Sequence, residues 1–197
     1  MNPVSITASV LLVFALVFVA PATAKTPDRL EEGREIARGF GAELRGALQA
    51  AMEEGGPLAA IEVCQEKAPA IARRASEASG AEVGRTSTRV RNPANRPDSH
   101  ELAVLGEFAE RLATGAADPP PERLDTLDDG RVRFMSAIVV QPPCLACHGE
   151  SLAPVVAEVI DARYPQDEAR GYAPGELRGA FTITWPASSG GVGNRKR

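Results

Sequence analysis

The chain has 197 residues, 44% of them apolar but only 5% aromatic, with a formal net charge of −4 at pH 7. That length suits one domain whose core is filled mostly by Ala, Val, Ile and Leu rather than by aromatic rings. The mild acidity argues against nucleic acid as a partner, and three cysteines are an odd count that leaves one thiol to be explained.

Residues 1–24 carry no charged side chain and include the apolar run Val10 to Ala20. Pro21-Ala22-Thr23-Ala24 follows, with small residues spaced as at a signal-peptidase site, although the leading segment lacks Lys and Arg. The apolar run is short for a membrane span and is broken by Pro21. A signal peptide cleaved after Ala24 is therefore expected, with the mature protein in the periplasm and membrane contact only through an uncleaved leader.

From Pro27 to Met52, Leu30, Ile36, Phe40, Leu44 and Leu48 recur at helical spacing, until Gly55-Gly56-Pro57 interrupts. A second helix follows to Ser79, with Leu58, Ile61, Cys64, Ala68 and Ile71 on one stripe and Gly80 as its stop. The two read as a helical hairpin. Residues 82–91 alternate and predict a strand with Arg85, Ser87, Arg89 and Arg91 on one face. The run Asn92 to Pro97 is a proline-stiffened loop. Asp98 with Glu101 predicts a capping box at the head of a third helix carrying Leu102, Leu105, Phe108 and Leu112. Residues 116–122 read as a Pro-rich linker, 131–140 as a strand, 154–163 as a short helix and Leu177 to Trp185 as a closing strand. Helices followed by mixed strands and helices predict an α+β domain over 25–187 with a small antiparallel sheet, then a disordered tail over 188–197.

Between the second and third strands stands Cys144-Leu145-Ala146-Cys147-His148, the CxxCH pattern of covalent haem c attachment. Cys144 and Cys147 would form thioethers to the vinyl groups of one haem, and His148 would bind the iron on one face. A thioredoxin-type redox pair lacks its βαβ context here, and a zinc site would have to draw on Cys64 and His100 for its remaining ligands. The small all-helical cytochrome fold is disfavoured, because its motif lies near the N-terminus. Candidates for the opposite face of the iron are Met52, Cys64, His100 and Met135. Cys64 reads either as a buried small hydrophobe or as a ligand. Arg89 and Arg91 are candidates for pairing with the haem propionates, against the alternative of a solvated basic edge.

The runs Ala59 to Cys64, Arg89-Val90-Arg91-Asn92-Pro93-Ala94-Asn95-Arg96-Pro97-Asp98, Cys144 to Gly149 and Leu177-Arg178-Gly179-Ala180 resemble a known family. It is the single-haem, PAS-like domain family first described for a cyanobacterial haem c protein and also found as the sensing part of some histidine kinases. The resemblance implies a PAS-like sheet flanked by helices, and a thiolate from Cys64 opposite His148. A thiolate stabilises ferric iron and is released on reduction or protonation, which would suit a redox- or gas-responsive domain with no enzymatic activity. A redox partner or a separate signalling protein is then expected. The alternative is a simple periplasmic electron carrier; a peroxidase would need a distal acid–base residue, for which His100 is the spare histidine.

Overall fold

The computed structural model describes residues 28–115 and 118–187; the expected signal peptide and tail lie outside them. Helix α1 (Arg29–Glu62) begins where the Asp28 side chain accepts the Leu30 N–H, with Glu31 and Glu32 in its first turn. It is interrupted at Gly55-Gly56, where Gly56 takes φ +66° and the chain folds back. The second limb runs through a π-helical turn (Val63–Lys67) into α2 (Ala68–Ser79), which ends at left-handed Gly80. This is the expected hairpin, its limbs joined by an Arg74–Glu43 ion pair.

Four antiparallel strands follow: β1 (Glu82–Thr86), β2 (Glu122–Thr126), β3 (Val132–Val139) and β4 (Leu177–Trp185), ordered β1-β4-β3-β2. Because side chains alternate across a strand, Phe134 and Ile183 face one side, where Ala37, Phe40, Leu44 and Ile71 of the hairpin cover them. Met135, Ala137 and Ala180 face the other, beneath Val104, Leu105 and Phe108 of α3 (Ser99–Ala113). The approach of α1 is close: a Cβ on Gly33 would lie 2.5 Å from Cγ of Phe134. The expected capping box at Asp98 is present, and Arg133, buried on β3, ties it to the sheet through 2.7 Å to Asp98 Oδ2 and 2.9 Å to Thr184 Oγ1.

Two local expectations are corrected. The strand expected over 82–91 stops at Thr86. Ser87 donates its N–H to the Asn95 carbonyl and its hydroxyl to the Arg178 carbonyl, leaving the ladder, and consecutive Val90 and Arg91 are both buried. The polar edge strand β2 was not expected, because Glu122-Arg123-Leu124-Asp125-Thr126 lacks the apolar alternation that marks a half-buried strand.

Gly179 is required where β4 meets the end of β1. A Cβ there would lie 2.3 Å from the Thr86 carbonyl oxygen and 3.1 Å from Ser87 Cβ. Gly179→Ala is expected to lower stability by about 2 kcal/mol through overpacking, read as a lower urea midpoint at unchanged m-value.

Candidate functional site

The CxxCH segment begins in a 3-10 turn (Pro142–Cys144) and continues as the single helical turn α4 (Leu145–His148). Two prolines fix the approach, and Cys144, Cys147 and Cys64 are all free, half-buried thiols. The turn is clamped by backbone bonds at the histidine and the residue after it: Tyr172 N–H to the His148 carbonyl at 3.0 Å and Gly171 N–H to the Gly149 carbonyl at 2.9 Å. The His148 ring donates from Nδ1 to the Ala169 carbonyl at 2.8 Å. A carbonyl can only accept, so the neutral ring keeps its lone pair on Nε2, the arrangement that suits a metal ligand. Burial, reinforced by the cations Arg178 and Arg91, lowers its pKa to about 3. The imidazole therefore stays neutral and ligand-competent at physiological pH.

Helix α5 (Pro154–Arg163) follows, and its Val156 and Ile160 pack with Tyr164, Cys147 and Ile61 of the hairpin. This contact brings the second hairpin limb to the CxxCH turn. Cys64 lies on that limb, one turn beyond Ile61 and within the π-helical turn. The turn has a cause in the sequence: Pro69 has no N–H for the Gln65 carbonyl and crowds it, so the preceding backbone widens and Ala68 donates to Val63 instead. The Cys147 thiol is pushed up by burial, and the nearby Cys64 and Cys144 add to this against the opposing Arg91. Burial likewise raises Tyr164, with Cys64 again contributing. Cys64, Cys147, Tyr164 and the arginines thus share one neighbourhood.

The other candidates for the far face of an iron lie elsewhere. Met135 is fully buried against α3, Met52 is 40% exposed, and His100 bonds Asp125 at 3.1 Å between α3 and β2. Among the described residues no three His, Cys, Asp or Glu side chains converge as a metal cage, which gives the zinc reading no support. Surface depressions between the hairpin limbs at Glu43, Lys67 and Arg74, and beside β2 at Arg34 and Arg123, do not reach the CxxCH turn.

The arginines separate into different roles. Arg91, expected at a propionate, is instead held within the protein. It donates to both Asp167 carboxylate oxygens at 3.0 and 3.1 Å, to the Cys147 carbonyl at 2.7 Å and to the Ala169 carbonyl at 3.3 Å. It therefore braces the two carbonyls that flank the histidine's position. Arg89 bonds the Glu168 carbonyl at 3.3 Å and lies 4.1 Å from the centre of the Tyr172 ring. The rest of the RNPANRPD run is equally structural: Asn92 caps the following 3-10 turn, Arg96 pairs with Glu168, and Asp98 caps α3.

A family model described as Tll0287-like matches residues 20–186. The chain belongs to the Tll0287-like family. No curated protein matches it. Among solved structures, the crystal structure of the cyanobacterial heme-protein Tll0287 is similar in fold, with 24% identity and a TM-score of 0.62 over 82% of this chain and 97% of that one.

In this Tll0287-like chain the residues that sequence reasoning missed are Asp167, Tyr172 and Ala169, the last through its carbonyl. The Asp167 side chain is 2% exposed. Burial works to raise its carboxyl, but hydrogen bonds from Arg91 and Arg170 outweigh that and hold it below the usual carboxylate range. Its stabilising effect is therefore present above the ordinary carboxylate pKa and is lost as pH falls through the lower folded value. Asp167→Ala leaves the Arg91 cation buried and unpaired; because the pair lies just beneath the surface, a loss of about 3 kcal/mol is expected at pH 7. The difference between parent and variant should shrink as pH falls below the ordinary carboxylate range, and urea midpoints at pH 7 and in acid check this.

Proposed function

We propose that the chain is an exported, non-catalytic, single-haem c-type protein whose haem is attached through Cys144 and Cys147 and held at the iron by His148 and Cys64. Support comes from the convergence of Cys64 with the CxxCH turn while Met52, Met135 and His100 lie elsewhere. The donor set fits the group: two free thiols three residues apart, a neutral imidazole with its Nδ1 proton committed to Ala169, and a third thiol from the opposing limb. Family membership and the likeness to a cyanobacterial heme-protein agree with this reading.

When bound, haem iron would supply one-electron redox chemistry and a coordination position for a small gas. The chain's own part is to orient and to release. The Ala169 carbonyl fixes the ring of His148 and strengthens it as a donor, and Arg91 braces the same turn through the Cys147 carbonyl. Cys64 sits in a π-helical turn, a geometry frequent at functional sites, and a thiolate can be lost by protonation where a thioether cannot. That supports a ligand that leaves on reduction, hence a redox- or gas-responsive domain acting through a separate partner, over an electron carrier with fixed ligands.

Intact mass tests the reading. Protein produced in a host that exports and matures c-type haem should lack residues 1–24 and weigh one haem more than the polypeptide. A mass equal to the bare chain would overturn it.

A further inference from the structure

Two guanidinium groups, one near Cys64 and one near His148, bond no carboxylate among the described residues. Arg85 extends from β1 on the hairpin side of the sheet, since its pairing partner on β4 is Phe181, which packs with that core. It is half-buried and forms no hydrogen bond or ion pair among the described residues; Cys64 and Tyr164 are the polar groups acting on it, and burial pulls its pKa down. Arg178 arrives by a different device. Ile138 pairs with Gly179 and Val139 with Leu177, so Arg178 is the extra residue of a β-bulge. A bulge re-aims a side chain that regular alternation would send elsewhere. Arg178 Nη1 is anchored at 3.1 Å to Ser87 Oγ and 3.2 Å to the Arg89 carbonyl, and the guanidinium lies 5.4 Å from the Tyr172 ring centre. Its other nitrogens bond no carboxylate or carbonyl among the described residues.

We propose that Arg85 and Arg178 together seat the two carboxylates of the haem, in place of the Arg89 and Arg91 expected from sequence. The assignment rests on the haem reading above. Charge balance carries it. Arg178 is near enough to Arg85 and Arg91 for each to oppose its protonation. Asp167, the carboxylate acting in this neighbourhood, is already engaged by Arg91 and Arg170. The remaining facing groups are Tyr164, Tyr172, Ser87, His148 and the cysteines, none of which supplies a second carboxylate. Neighbouring like charges removed from water are costly unless an anion accompanies them. Two uncompensated cations, one near Cys64 and one near His148, match a ligand with two carboxylates in number, sign and the forked geometry guanidinium prefers.

The test is the reduction potential of the holoprotein against pH for the parent, Arg85→Gln, Arg178→Gln and the corresponding Lys variants, with intact mass taken first. An adjacent cation lowers a carboxyl pKa by roughly one to three units. The parent curve should therefore show its carboxylate bend well on the acid side, and each Gln variant should keep covalent haem while its bend moves up by about one unit or more. The Lys variants should return towards the parent. Gln variants that carry haem and superpose on the parent curve would refute the assignment. If a Gln variant fails to retain haem, its Lys counterpart decides: recovery of haem and of the parent curve supports the seat, whereas continued loss assigns the arginine to folding and overturns it. A parent with no covalent haem removes the haem reading itself, and mass reveals that before any potential is read.

Discussion

Replacing both thiols of the CxxCH turn, Cys144→Ser with Cys147→Ser, is expected to abolish haem that survives detergent denaturation. Thioether bonds persist when the fold is lost, whereas axial coordination by His148 and Cys64 does not. A serine hydroxyl has nearly the thiol's size but cannot add to a vinyl group under the same conditions. Neither side chain is a core element, since both are half-buried, and the turn is held by Arg91, Ala169 and the Tyr172 backbone. The fold should therefore survive while haem stain on a denaturing gel falls by roughly an order of magnitude or more. Stain equal to the parent would place the attachment outside Cys144 and Cys147.

Cys64→Ala should leave that stain intact and change the iron. Loss of a thiolate donor removes stabilisation of the ferric state, so the reduction potential should rise. Axial ligation tunes haem potentials over about 0.8 V, and exchange of one strong donor is expected to move this one by on the order of 100 mV upwards. The ferric spectrum should lose its low-spin thiolate character at the same time. Truncating a half-buried thiol costs little packing, so the change would be electronic rather than a symptom of unfolding. An unchanged spectrum and potential would return Cys64 to the role of a small buried hydrophobe.

Much of this arrangement is legible in the chain. Periodicity marks the hairpin, because its apolar stripe meets a sheet on one side only, and Gly55-Gly56-Pro57 and Gly80 mark its breaks. Asp98 and Glu101 announce their own capping box, a wholly local device. CxxCH is likewise local. What escapes is long-range. Arg91 and Asp167 are 76 residues apart, and no spacing rule pairs them. Arg89 and Arg91 look like one strand face until Ser87 leaves the ladder for Asn95, a contact set by the fold of the proline loop. Arg178 is re-aimed by a bulge that depends on register with β3. The π-helical turn at Cys64 had a signal in Pro69, five residues on, whose effect on the preceding carbonyls is local chemistry.

The optical spectrum of the exported, unaltered protein, oxidised and then reduced, bears most directly on haem held between His148 and Cys64. The account predicts covalent haem with a low-spin, thiolate-type ferric spectrum that gives way on reduction to one without thiolate character. A histidine–methionine type spectrum in both states, or no haem bands at all, would contradict it.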